Sequence, residues 1–403
     1  MKRLLPAAIA AFALISAPAP ALAQSLSYLG QQILPTGTMY AGTVVGGLSG
    51  IDYVTATGGY YVISDDRSQI GPGRFYGMTL DLSQFNRSAT PGSAGVAFTA
   101  VETMKVPGSA TATYPNSTLD PEALRFNPAT NRVVWASEGD KGLLINPFVR
   151  EMNLDGTFVR GFATPSKFNA SDSQTGIRNN LAFESLTYSP DRTRLYTAVE
   201  NALIQDGSQA TVTNPSVSRV IAFDTATGTP VAEYAYLVDP VVQMPNPPGG
   251  FATNGLTEML AVDSYSFIMI ERSFSAGAPG TGNTIKLYLA SLAGATDVTG
   301  IASLEGATFT AMSKSLLLDL GTLTNADGSP LALDNIEGIT WGPTVDGKAT
   351  LILVSDNNFS PTQFTQFIAL SATQPIPEPS TWAMLAAGLL LVGALARRRA
   401  RTG

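Results

Sequence analysis

The chain has 403 residues, a formal net charge of −7, 44% hydrophobic residues, and neither cysteine nor histidine. Lacking both, it has no disulfide, no thiol nucleophile, no zinc site of the usual His/Cys kind and no imidazole to activate a serine. Any chemistry rests on carboxylates, guanidinium groups, amines, hydroxyls and the ions they attract, and an oxygen-only ligand set favours calcium or magnesium over zinc or copper.

Met1-Lys2-Arg3 is a basic start, Leu4 to Pro18 is mostly apolar, and Ala21-Leu22-Ala23 has the small-x-small pattern that signal peptidase cuts, so residues 1–23 read as a signal peptide. Residues 24–45 read as a lead-in strand, and 46–370 as one large repeating body. The repeat is a short phrase that returns five times: an acidic or small polar residue, an apolar run, a turn, a second apolar run and a closing acid. Its copies open at Ser49, Glu122, Glu184, Glu258 and Glu337, and close at Asp65-Asp66, Glu138, Glu200, Glu271 and Asp356.

Each copy reads as a β-hairpin. The second runs (Tyr60 to Ser64, Val133 to Ser137, Leu351 to Ser355) are rich in β-branched and aromatic residues, and Gly58-Gly59, Asn127-Pro128 and Ser189-Pro190-Asp191 mark turns between strands. Further strands are expected at Ser218 to Phe223, Val231 to Leu237, Asn283 to Ala290 and within Phe309 to Leu320. The copies lie 62 to 79 residues apart, enough for four strands with long loops, so the expected fold is an all-β propeller of five or six blades.

A hairpin begins and ends at one edge of its sheet, so the two acids of each copy should sit side by side, and several pairs converging would make an acidic mouth. Glu122 with Glu138, Glu184 with Glu200, Glu258 with Glu271, and Glu337 with Asp356 form four pairs, and Asp65 and Asp66 face Ser49 at the fifth corner. Carboxylates crowded this way raise one another's pKa unless a cation or an arginine intervenes. Calcium, which takes six to eight oxygens, suits the set; alternatively Arg67, Arg125 and Arg272 pair with these acids in a purely structural signature. Gly47-Leu48-Ser49-Gly50 looks like a nucleophile elbow, but Ile51 stands where the second glycine belongs and there is no histidine base.

At the other end, residues 371–380 read as a linker holding Pro377-Glu378-Pro379. The apolar stretch Trp382 to Ala396 and the arginines 397–399 and 401 make residues 381–403 a single hydrophobic transmembrane helix with a basic tail. Loss of both end segments would leave 18 basic and 30 acidic residues, moving the net charge from −7 to −12, which disfavours nucleic acid as a partner.

Two resemblances follow from these residues. The tail resembles the PEP-CTERM sorting signal of Gram-negative exopolysaccharide producers, which implies export across the inner membrane, recognition by an exosortase there, and a transient anchor. The phrases Asp120-Pro121-Glu122-Ala123-Leu124, Phe183-Glu184-Ser185-Leu186 with Val199-Glu200-Asn201, Asn254-Gly255-Leu256-Thr257-Glu258 with Glu271-Arg272-Ser273, and Asn335-Ile336-Glu337-Gly338 with Ser355-Asp356-Asn357-Asn358 look like the phytase-like family. That resemblance implies a propeller hydrolysing phosphate or other esters, with calcium in an acidic mouth. Glu184 and Glu258 are the expected catalytic acids, and Arg67 and Arg272, or Lys141, a cationic clamp on the substrate. The alternative is a non-catalytic propeller that binds extracellular polysaccharide or a matrix partner.

Overall fold

A computed structural model of the protein describes residues 26–372. The signal peptide, linker and C-terminal helix read from the sequence lie outside them, and among the described residues no helix is long and apolar enough to cross a membrane. Five four-stranded antiparallel sheets follow one another along the chain. Blade 1 comprises Leu48–Val54, Gly59–Ser64, Arg74–Leu80 and Val96–Thr103. Blade 2 comprises Pro121–Asn127, Arg132–Ser137, Phe148–Asn153 and Phe158–Gly161, and blade 3 Phe183–Tyr188, Arg194–Val199, Ser216–Asp224 and Pro230–Val238. Blade 4 comprises Ala252–Ala261, Ser266–Ser275, Asn283–Ser291 and Ser313–Asp319.

Blade 5 closes the ring. Its three inner strands, Asn335–Val345, Lys348–Asp356 and Thr365–Ala372, come from the end of the described chain, and its outermost strand, Leu26–Leu34, from the beginning. The lead-in segment is therefore part of the propeller, and the blades number five. The first strand of each blade lies innermost and touches the first strands of both neighbours.

The apolar sequence pattern explains the packing. A middle strand such as Val133-Val134-Trp135-Ala136 is continuously apolar because successive side chains point to opposite faces and both faces are covered. Val133 and Trp135 pack toward blade 1 with Ile63 and Phe75, whereas Val134 and Ala136 pack toward blade 3 with Leu186 and Phe223. The same division recurs at Tyr196 and Leu195 and at Met269 and Ile270, so one hydrophobic cluster fills each of the five blade interfaces.

Every inner strand carries a β-bulge at the same place, between Leu48 and Gly50, Pro121 and Ala123, Phe183 and Ser185, Leu256 and Glu258, and Ile336 and Gly338. The extra residue at each bulge has no partner on the second strand and is re-aimed. Those residues are Ser49, Glu122, Glu184, Thr257 and Glu337.

Removing the Leu26–Leu34 strand would leave the wholly buried Thr365–Ala372 strand as an open sheet edge. A truncated protein starting after Leu34 should lose cooperative thermal unfolding and elute as aggregates in size-exclusion chromatography. A monomeric, cooperatively melting product would contradict this closure.

Candidate active site at the propeller mouth

The bulges define the site. Three of the five bulge residues are glutamates: Glu122, Glu184 and Glu337. Opposite them, at the end of each second strand, stand Asp65, Glu138, Glu200, Arg272 and Asp356. Their equivalence follows from pairing with the residue before each inner-strand bulge pair: Asp65 N–H donates to Gly47 O, Glu138 N–H to Asp120 O and Glu200 N–H to Ala182 O, while Arg272 pairs with Gly255 and Asp356 with Asn335.

In the fourth copy the structure corrects the sequence register by one residue at both ends. The bulge residue is Thr257, not Glu258, and the closing residue is Arg272, not Glu271. Glu258 lies deeper on the axis. Its Oε1 accepts hydrogen bonds from Leu186 N and Met259 N at 2.9 Å, and its Oε2 lies 2.9 Å from Arg125 Nη2. Burial pushes the Glu258 carboxyl up to about 7 in spite of that arginine. Arg125 also donates to Ile51 O, Met259 O and Ile339 O, so one guanidinium ties blade 2 to blades 1, 4 and 5 and floors the mouth.

Glu271 faces away from the axis, into the space between blades 3 and 4. There its carboxylate accepts from Tyr236 Oη at 2.8 Å, Asp239 N at 2.9 Å and Lys314 Nζ at 2.5 Å. Asp66 lines the mouth cavity but is committed to its own loop, accepting from Gln69 N, Ile70 N, Gly71 N and Arg74. Lys141 is also remote from the mouth, bonded to Ser171 O. The remaining expected residues, Asp65, Arg67, Glu122, Glu138, Glu184, Glu200, Arg272, Glu337 and Asp356, come together.

One carboxylate joins them that the hairpin pattern did not single out. Asp120 precedes the first strand of blade 2, and Arg67 from blade 1 grips it through Nε at 2.7 Å and Nη2 at 2.5 Å while also reaching Glu138 at 3.8 Å. Arg272 stands 3.3 Å from Glu200 and 3.4 Å from Glu337, bridging blades 3 and 5. Eight carboxylates (Asp65, Asp120, Glu122, Glu138, Glu184, Glu200, Glu337, Asp356) thus share two arginines around a cavity of about 900 Å³.

The imbalance raises the carboxyl pKa values around the ring. Burial and then the neighbouring charges of Glu184, Asp120 and Asp65 hold the Glu122 carboxyl well above its usual range, and burial with Glu138, Glu200 and Glu337 does the same to Glu184. Burial raises Asp65 and Asp356 likewise, helped by Asp120 and Glu337 on the one and by Asp65 and Glu337 on the other. Glu138 and Glu200 are pushed up by burial to about 7, although a hydrogen bond from Ala182 N opposes the shift in Glu138 and Arg272 opposes it in Glu200. Burial and charge act on Asp65, Glu122 and Glu184 without a hydrogen-bond donor among their leading influences.

These buried acids fit a divalent cation. Oxygens of Asp120, Glu122 and Glu138 lie within 4.8 Å of one another, as do oxygens of Glu138, Glu184 and Glu200. Ligands of one calcium ion, each about 2.3–2.6 Å from it, are separated by no more than about 5 Å. Two glycines make room: a Cβ on Gly255 would lie 2.0 Å from Glu200 Oε1, and one on Gly47, 1.9 Å from Asp65 Oδ1.

Residues 43–359 match the phytase-like family, described as esterase-like activity of phytase. The chain belongs to the phytase-like family. Residues 375–400 match the PEP-CTERM protein-sorting motif, which marks an exported protein of Gram-negative bacteria and implies processing by an exosortase. No curated relative matches the chain. Among solved structures, it is similar to a Dos1 propeller at 9% identity, over 82% of this chain and 69% of that one, with a TM-score of 0.34. It is also similar to an exo-β-1,3-galactanase from Phanerochaete chrysosporium with β-1,3-galactotriose at 14% identity, over 84% and 64% of the two chains, with a TM-score of 0.41.

Two predictions follow from the phytase-like mouth and its floor. Because the folded pKa values of Glu138 and Glu200 stand above the unfolded value of about 4.5, the native state holds more protons in the window between about 4.5 and 7. Their stabilising contribution is complete below that window and is lost as pH rises through it. In the presence of a chelator, the melting temperature should therefore fall between about pH 5 and 8, and less steeply in Glu138→Gln; a rise over that range would contradict the shifts. At the floor, Arg125→Met leaves the Glu258 charge buried and unpaired, which costs about 3–5 kcal/mol. Denaturant unfolding should show that loss, with part of it recovered on adding Glu258→Gln.

Proposed function

We propose that the protein is an exported hydrolase of phosphate or other esters that works with calcium held in the propeller mouth. The observation that carries this reading is the excess of buried carboxylate over cation: two close carboxylate triads meet at Glu138, and Asp65, Glu122 and Glu184 line the cavity beside other acids. Bound there, calcium supplies a Lewis acid that grips an ester oxygen and makes water more acidic.

The chain's own residues do the rest. Glu122 and Glu184, placed on the bulges of adjacent blades, hold the ion-facing oxygens, and Glu138 stands between them as a member of both close carboxylate triads. Arg272 balances Glu200 and Glu337 and lines the cavity, which puts its guanidinium charge beside a bound substrate oxygen. Arg67, partly exposed at the opposite wall, provides a second cationic contact. Glu258, sealed beneath the mouth with Arg125, is a structural residue in this reading.

Calcium titrated into chelator-treated protein should bind with measurable heat, raise the melting temperature in proportion to the logarithm of its concentration, and restore hydrolysis of nitrophenyl phosphate or nitrophenyl acetate. Glu184→Gln should weaken calcium binding by about tenfold or more and abolish turnover, while melting in chelator stays at or above that of the parent because one buried charge is gone. Gly255→Ala, which pushes Glu200 out of place, should cost about 10–100-fold in calcium affinity. Calcium binding without turnover of any ester would favour the alternative, a propeller that binds extracellular polysaccharide.

A further inference from the structure

The mouth is not uniformly polar. Its rim carries Ile70, 53% exposed on the blade 1 loop, Phe274 at the end of the second strand of blade 4, and Phe359 on the blade 5 loop. Phe251, 65% exposed, stands behind Phe274 with ring centroids 6.1 Å apart. Phe359 is held in a costly conformation. Asn358 and Phe359 have φ of 47° and 50°, two consecutive left-handed residues that are not glycine, and for a bulky side chain that region is strained.

Three neighbours enforce it. Asn357 Oδ1 accepts from Phe359 N at 3.1 Å and from Gly47 N at 3.0 Å. Gly46 and Gly47 leave space for the ring, since a Cβ on either would lie 2.8 or 2.7 Å from its carbons. The cationic side of the mouth is sparse by comparison. Arg67 and Arg272 are the cationic residues among the described lining, and each is already in ion pairs with carboxylates.

We infer that the mouth takes a ligand with a single anionic group on an aromatic ring, the ring lying against Phe274 and Phe359, and that it discriminates against ligands bearing several phosphates. This rests on the reading of the mouth as a calcium-dependent ester site, and names its substrate class. One phosphoryl group has the calcium and Arg272 to meet it. A second or third would meet only Arg67, already gripped by Asp120, beside the carboxylates of Asp334 and Asp356. An aryl group gains burial and edge or face contact with the phenylalanines, worth about tenfold in affinity over a methyl group. Phe274 and Phe359 are thus specificity-determining residues.

The test is calorimetric and does not depend on turnover. The calcium-saturated protein is titrated with phenylphosphonate, methylphosphonate and fructose 1,6-bisphosphate. Phenylphosphonate should bind about tenfold more tightly than methylphosphonate, and fructose 1,6-bisphosphate no more tightly than methylphosphonate. Phe274→Ala, in regular strand, and Phe359→Ala, in the strained turn, should each erase most of the aryl preference while methylphosphonate binding and calcium affinity stay within about twofold. Equal affinities for the two phosphonates, an aryl preference intact in both variants, or tighter binding of the bisphosphate would overturn the inference. Aryl preference in binding with no ester turned over would sink the hydrolytic reading and leave the ligand class standing.

Discussion

A β-bulge repeated at one level of five inner strands is the constraint from which the rest of the molecule follows. In an unbulged strand the residues on either side of that point would alternate between the two blade interfaces, and both would have to be apolar. The bulge frees one residue per blade from that rule and aims it at the axis, so a propeller with dry interfaces can still carry Glu122, Glu184 and Glu337 in its channel. The closing acids reach the same place because the hairpin brings the end of the second strand back to the start of the first.

Blade 4 departs from the pattern, and the departure makes the mouth workable. Had it carried a glutamate and an acid like its neighbours, the ring would hold still more negative charge. Thr257 instead caps Ile336 O and Arg272 lies between Glu200 and Glu337. The positive charge sits where two neighbouring blades converge on it, and with Arg67 holding Asp120 and Glu138 this leaves Asp65, Glu122, Glu184 and Asp356 without an arginine contact among the described residues.

Much of the architecture was legible from residue types. The strands at Ser216–Asp224, Pro230–Val238 and Asn283–Ser291 appear close to where β-branched and aromatic runs put them, and the five copies correspond to five blades. The slip in the fourth copy has a simple cause. Thr257-Glu258 and Glu271-Arg272 each offer an acid next to the true position, and a one-residue shift in a strand moves a side chain to the opposite face; only the pairing of Arg272 with Gly255 decides it. Asp120 stands in the family phrase but outside the hairpin pairs, because it precedes its strand and its role depends on Arg67 arriving from another blade. The strand Leu26–Leu34 offered no hint of its partner, since Thr365–Ala372 lies more than three hundred residues away in the chain.

That long-range pairing has a bearing on how the protein reaches its destination. An exported chain crosses the membrane from its N-terminal end, so the Leu26–Leu34 segment emerges first and finds no sheet to join until the final blade has followed it. Blades 1 to 4 can form their own sheets, but the ring stays open, and its last interface unfilled, until residue 372 is through. Closure of this kind is slow because distant segments must meet before any contact rewards them. Completion of the acidic mouth, which needs Glu337 and Asp356 from blade 5, therefore waits for the last part of the described chain.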